Sequence, residues 1–151
     1  MAAQTSYSRL TNTGFPGLLV DLNPKDIVSR SVETPAGIPF GVVVSRGTDR
    51  ERQIVLGGTA PLGVSLRVLS QEGAANTGAV QWDVTDTAAV LREGYVFVVC
   101  PAGCTAGDAV KFTTATGVLD SGAAGAGEQA LVGATWETTT AAGGVAVLRL
   151  S

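Results

Sequence analysis

From Ile38 to the C-terminus the sequence is a succession of short apolar runs rich in β-branched residues, each cut off by glycine or proline. No window of helical length carries apolar side chains at the i, i+3, i+4, i+7 spacing of a helix face, so the segments must be strands. The spacing predicts strands at Ile38–Ser45, Gln53–Leu56, Gly63–Ser70, Ala88–Arg92, Tyr95–Cys100, Ala109–Thr113, Val118–Leu119, Ala130–Glu137 and Val145–Leu150. In the third of these, Val64, Leu66 and Val68 alternate with polar or small residues, as in a half-buried strand. Tyr95–Val99 is apolar on both faces and reads as central. Gly57-Gly58, Glu93-Gly94, Pro101-Ala102-Gly103, Thr116-Gly117 and Gly143-Gly144 supply hairpin or loop signals between them. Many short strands with such punctuation predict an all-β domain, a jelly-roll-like sandwich or barrel.

The N-terminal part is organised differently. Residues 1–37 contain breakers at Gly14, Pro16-Gly17, Pro24 and Pro35-Gly37, with one apolar cluster at Leu18–Leu22. Asn23 is a good N-cap and Pro24 suits a first helical position, so Pro24-Lys25-Asp26 is expected to open a single helical turn. The remainder reads as an extended N-terminal arm with too few local contacts to be ordered alone. The expected division is therefore an arm over 1–37 and one all-β domain over 38–151. Two stretches, Gln71–Gly78 and Asp120–Gly127, read as flexible loops.

Composition narrows the chemistry. The 151 residues include no histidine, which removes Ser-His-Asp and Cys-His catalysis and histidine metal sites. Charged residues make up 15%, and the net charge is −3, so neither a basic nucleic-acid face nor a disordered polyelectrolyte is expected. Residues 1–75 carry a net charge of +1 and residues 76–151 carry −4, with the basic residues clustered between Arg46 and Arg67. No apolar run is long enough to span a membrane as a helix, and the polar start MAAQTSYSRLTNTG lacks a signal-peptide core. Synthesis in the cytoplasm is expected.

Cys100 and Cys104 have no second ligand pair for zinc, and Pro101 and Gly103 between them do not suit a redox motif at a helix start. They read as small residues flanking a β-turn, and a reducing compartment disfavours a disulfide. Asp83 and Asp86 form the tightest carboxylate pair. An acid–base or Ca²⁺ role would need partners the neighbourhood lacks, so the pair reads as solvating a turn. The glycine-rich GAAGAG lacks the Lys-Ser/Thr of a phosphate loop. Trp82 and Trp136 read as core or interface anchors. Phe15, Leu18, Leu19 and Leu22 remain as candidates to dock on a neighbour, which suits a subunit of an assembly.

Several segments, in order along nearly the whole chain, resemble the structural cement (capsid decoration) proteins of tailed bacteriophages. GFPGLLVDLNPKDIVSR at 14–30 fits the pattern F-x-G-x-x-x-D-x-x-P-K-D. AGIPFGVVVSRG at 36–47 has a Pro-Phe-Gly step before an apolar run. LGVSLRV at 62–68, VLREGYVFVVC at 90–100, CTAGDAVKF at 104–112 and ALVGATWETTTAAGGVAVLRL at 130–150 continue the likeness. Cys100 and Cys104 are not part of it.

The resemblance implies an all-β body on the outer surface of the capsid, without catalysis or cofactor. It implies subunits that associate as dimers, or in related decorations as trimers, and bridge neighbouring major capsid proteins, so that the DNA-filled shell is stabilised by mass action. The protein would be made in the host bacterial cytoplasm and used in the virion, with no nucleic-acid or membrane partner. Within this reading, the arm Gly14–Arg30 and the loop Arg46–Arg52, with Arg46, Arg50 and Arg52, are expected at the capsid or subunit interface; Phe15 and Leu18 are the expected anchors, Leu19 and Leu22 are further docking candidates, and Lys25 and Asp26 fix register through rim charges. The alternatives are a virion-associated carbohydrate- or receptor-binding β module, which predicts exposed aromatics in a groove, and a small enzyme built on a carboxylate pair.

Overall fold

A computed structural model describes residues 14–20, 25–68 and 80–151. Among these residues there are nine strands and no helix: β1 (Asp26–Val32), β2 (Val43–Arg46), β3 (Gln53–Leu56), β4 (Pro61–Ser65), β5 (Thr87–Cys100), β6 (Ala109–Thr113), β7 (Leu119–Ser121), β8 (Glu128–Trp136) and β9 (Gly144–Leu150). The all-β expectation holds, and its barrel form is the one adopted. Strand β1 pairs parallel with β3 and antiparallel with β5, while β3, β2, β4 and β5 follow one another as antiparallel neighbours. That circuit closes a five-stranded barrel and leaves it no free edge. A second sheet runs β5-β9-β8-β6-β7.

Strand β5 belongs to both sheets. Its first half pairs with β1 and β4, and from Gly94 to Cys100 it pairs with β9. Glu93-Gly94 was expected to be a hairpin signal between two strands. Instead the strand runs through it. Gly94 sits at φ 132°, in the region that favours glycine, and the β1–β5 register slips beside it so that Asp26 faces Glu93 and Ile27 faces Leu91. Glycine here marks the corner where a strand leaves the barrel for the second sheet.

Other boundaries shift for identifiable reasons. The run expected over Ile38–Ser45 becomes strand only at Val43, because Phe40-Gly41 forms a turn with Gly41 at φ 74°. Ile38 pairs instead as an isolated bridge with Trp82. The helical turn expected at Pro24-Lys25-Asp26 is not formed at Asp26, which is the first residue of β1. Asn23 and Pro24 lie outside the described residues, as do Leu69, Ser70 and the loop Gln71–Gly78. Hydrogen bonds to two neighbours outweigh a local cap, since β1 pairs with β5 over six positions.

Alternation along the strands builds two cores. Val32, Val44, Ile54, Ala88 and Val90 form one cluster with Ile38, Phe40, Val42 and Trp82. Val43, Val64, Leu66 and Leu91 alternate with residues of the first set and join the second sheet's Val96, Val98, Phe112, Trp136 and Leu148. Each fully buried aliphatic or aromatic side chain contributes roughly 1.5–3 kcal/mol. Both tryptophans are core residues, as expected: Trp82 is 6% exposed and Trp136 is 0%. Neither ring is available to stack on a sugar.

Candidate functional site

The sequence-expected contact residues fall at separate places on this body. In the first, Phe15-Pro16-Gly17-Leu18 is a tight turn closed by Leu18 N–H donating to the Phe15 carbonyl at 2.9 Å, with Gly17 at φ 79°. Proline followed by glycine in a left-handed conformation suits the two central positions of a type II turn. The chain then runs along the edge of β5. Gly17 and Val20 donate to the carbonyls of Phe97 and Tyr95 at 2.8 and 3.0 Å, and Phe97 donates to Leu18 at 2.9 Å. Leu19 is turned against the chain's own second core, Leu18 is half-buried and Phe15 remains 61% exposed. Leu22 lies outside the described residues.

Two motifs of the sequence meet here. A Cβ on Gly17 would come within 2.8 Å of the Phe40 Cβ and 2.9 Å of the Gly41 nitrogen, and Gly41 abuts Gly17 in return. The turn of Gly14–Leu18 therefore stacks on the turn of Pro39–Gly41, and only glycine allows the approach. The Arg67 guanidinium lies 5.3 Å from the centre of both the Phe15 and the Phe40 ring. This cation–π contact with each ring, worth about 0.5–2 kcal/mol apiece, holds Phe15 in place while leaving its outer face in water. Arg67 and Phe40 were not among the expected contact residues. The repeated Phe-Gly and Phe-Pro-Gly steps were the only signal for their meeting.

The second place is the β2–β3 loop, at the other end of β2. Arg50 and Arg52 are exposed, and Arg46 is half-buried with its Nη1 donating to the Arg50 carbonyl at 2.8 Å. The loop is tied to the end of β1 by Glu33, whose carboxylate accepts from Thr48 Oγ1 at 2.5 Å and from the Thr48 amide at 2.8 Å. The Thr48 hydroxyl first, and then its amide, hold the Glu33 carboxyl below the ordinary carboxylate range, against a small opposing effect of desolvation. A depressed carboxyl favours the ordered loop above its unfolded-state value, 4.5, and loses that contribution as pH falls through the lower folded value. Acidification from about pH 5 to about pH 3 is therefore expected to lower the protection of the Thr48 amide, its exchange rate taken relative to that of an unstructured chain at the same pH, before protection falls in β5, which hydrogen-exchange mass spectrometry or NMR would register. Simultaneous exchange at both places would contradict this.

Lys25 and Asp26 lie apart from both places, at the corner beside Gly94. Asp26 pairs with Arg92 at 2.8 Å, both side chains being more than 40% exposed, and Lys25 is exposed. An exposed pair of this kind sets local geometry more than stability.

A feature absent from the expectations lies on the second sheet. Lys111 faces Ala130 while Ala109 faces Thr135, so β8 bulges outward over Leu131–Ala134. Gly133 at φ 80° makes the bend, and its carbonyl accepts from the amide and hydroxyl of Ser151, each at 2.9 Å. Val132 is thereby left 93% exposed beside a cleft of about 270 Å³ walled by Pro61, Leu62, Arg92 and Leu150. Nothing in the local sequence GAT marks the bulge except Gly133.

The described residues hold no group of three or more Cys, Asp or Glu placed to bind a metal ion. Asp83 and Asp86 close a turn on themselves, the Asp83 amide donating to Asp86 Oδ2 at 2.9 Å, as the turn reading anticipated.

Residues 3–151 match the structural cement protein family (E217 gp24/Pam3 gp6). The chain belongs to that family. A chain from the capsid of Myoviridae phage XM1 is similar in structure, with a TM-score of 0.71, 18% sequence identity, and coverage of 100% of this chain and 98% of that one. At that identity the likeness speaks for the fold. No curated protein matches the chain. Membership in the cement family gives the chain a structural, capsid-associated role and a place in the virion.

Proposed function

We propose that this cement protein binds the outer surface of the phage head, bridges neighbouring major capsid proteins and stabilises the DNA-filled shell. The observation that carries the reading is the placement of two contact elements at opposite ends of β2: the Phe15 ring held by Arg67, and the Arg50–Arg52 loop held by Glu33. One is an apolar anchor with a rigid mount, and the other is a cationic rim. A rigid body with separated contacts suits attachment to two neighbours at once, and association of the subunit as a dimer would present each contact twice and raise its avidity. Lys25 and Asp26 at the corner, and Leu18 beside the anchor, are the remaining contributors.

The test is to mix the purified protein with expanded, undecorated heads and to follow co-sedimentation and survival of the heads on heating. Wild-type protein is expected to bind and to raise the temperature at which heads rupture. The double variant Arg50→Glu/Arg52→Glu is expected to bind at least ~10-fold more weakly at low salt, because rim charges act through long-range complementarity. Phe15→Ala is expected to cost ~10-fold at all salt concentrations. Full occupancy by both variants would show that neither element meets the shell.

A further inference from the structure

We propose that Cys100 and Cys104 form an intramolecular disulfide when the protein meets a small organic disulfide of the glutathione class. The geometry points to this independently of how the subunit meets the capsid. Cys100 ends β5, and the chain reverses at once in a turn closed by the Gly103 amide donating to the Cys100 carbonyl at 3.2 Å. Both cysteines then pair across the turn that enters β9: Cys100 faces Gly144, the first residue of β9, and Cys104 forms an isolated bridge with Thr140 in the connection before it. Two turns thus lie against each other and fix the two cysteine backbones across one reversal.

Both side chains point inward into the same core cluster, with Cys100 fully buried and Cys104 6% exposed. Both thiols are free. With three residues between them, a turn that holds both backbones and both side chains in one cluster, the two cysteines are placed for a disulfide to span the turn.

The pair is also protected from reacting early. Cys100 Sγ donates to Asp120 Oδ1 and Cys104 Sγ to the Thr138 carbonyl, each at 3.3 Å. Burial, reinforced by the hydrogen bond to Asp120, pushes the Cys100 thiol up to about 12, and burial also raises Cys104. Thiolate, the attacking species, is therefore scarce, and exchange is slow in a reducing cytoplasm.

The reaction balances as two exchanges. Cys104, the less buried, gives its proton to water and attacks one sulfur of the small disulfide; the other sulfur leaves as a thiolate and is protonated. Cys100 then gives up its proton and attacks Cys104 Sγ, expelling the second small thiolate, which is protonated in turn. Two protein thiols are oxidised to one S–S bond, and one small disulfide is reduced to two thiols.

The full chain incubated with oxidised glutathione, then denatured and alkylated, is expected to lose the mass of two hydrogens, take up no alkyl group and remain monomeric on a non-reducing gel. Its melting temperature is expected to rise by about 5 °C and to fall back on addition of dithiothreitol. Cys104→Ser is expected to show neither change. Refolding from the reduced, denatured state in a glutathione redox buffer offers a second route to the same bond that does not depend on access through the folded surface. Recovery of two alkylatable thiols by both routes overturns the proposal. So does persistence of glutathione adducts on both cysteines, or an oxidised form that melts below the reduced one.

Discussion

Replacing Gly117 by alanine is expected to remove at least ~3 kcal/mol of folding stability, seen as a fall of about 1.5 M in the urea midpoint. Gly117 sits at φ 68° in the β6–β7 turn, where a side chain costs roughly 1–2 kcal/mol in backbone strain alone. The larger part comes from crowding. A Cβ there would meet the carbonyl oxygen of Val43 in β2, and backbone cannot swing aside as a side chain can. The contact is also bonded: the Val43 amide donates to the Gly117 carbonyl at 2.8 Å, and the Gly58 amide donates to Thr114 at 2.7 Å. These bonds seat the β6–β7 turn on the barrel, so the substitution would part the two sheets. Gly143→Ala is the matched control. Gly143 has a similar φ of 76° but open space around it, so only the strain, about 1 kcal/mol, is expected. Equal losses at the two positions would show that strain, and not the seating of the turn, governs both.

The second large effect is expected at Trp136. Its ring is fully buried in the cluster shared by the barrel and the second sheet, so Trp136→Ala is expected to cost about 3–5 kcal/mol. Its Nε1 has no hydrogen-bond partner among the described residues, unlike Trp82, whose Nε1 donates to the Leu66 carbonyl at 2.9 Å. A buried donor without a partner costs about 1–3 kcal/mol. Trp136→Phe removes that donor along with some volume, and the two effects oppose each other. It is therefore expected to cost less than ~1.5 kcal/mol, while Trp82→Phe, which orphans the Leu66 carbonyl, costs more. Calorimetry or urea titration of the three variants checks the order. A larger loss for Trp136→Phe than for Trp82→Phe would contradict it.

Strands with their neighbours close in sequence were the ones legible in advance. Gln53–Leu56 and Ala109–Thr113 stand as the alternation and flanking turns foretold. β1 was missed as a strand because its information is not local. Ile27 is 40% exposed and Arg30 is half-buried, so no clean alternation marks it, and it is ordered by parallel pairing to β3 and by β5 some sixty residues away. Gly94 misled for a related reason. A glycine after a charged residue signals a turn equally well whether the strand ends there or bends there. Of the residues proposed for contact, Phe15 stands out in the sequence as an apolar residue beside breakers, and Arg50 and Arg52 as a cluster of charge. That Arg67 joins Phe15 to Phe40, or that β8 lifts Val132 into solvent, follows from pairings between distant strands that no window of sequence contains.

The continuity of β5 has a mechanical corollary. Where two β units are joined by a linker, tension applied to both is borne by loops, and the units rotate before any ladder is strained. Here one strand of fourteen residues serves with its first half as a stave of the barrel and with its second half as the first strand of the adjoining sheet. A load pulling the two halves apart would run along covalent backbone and shear hydrogen bonds in parallel on both flanks of one strand. A strap yields least when it is cut from a single length.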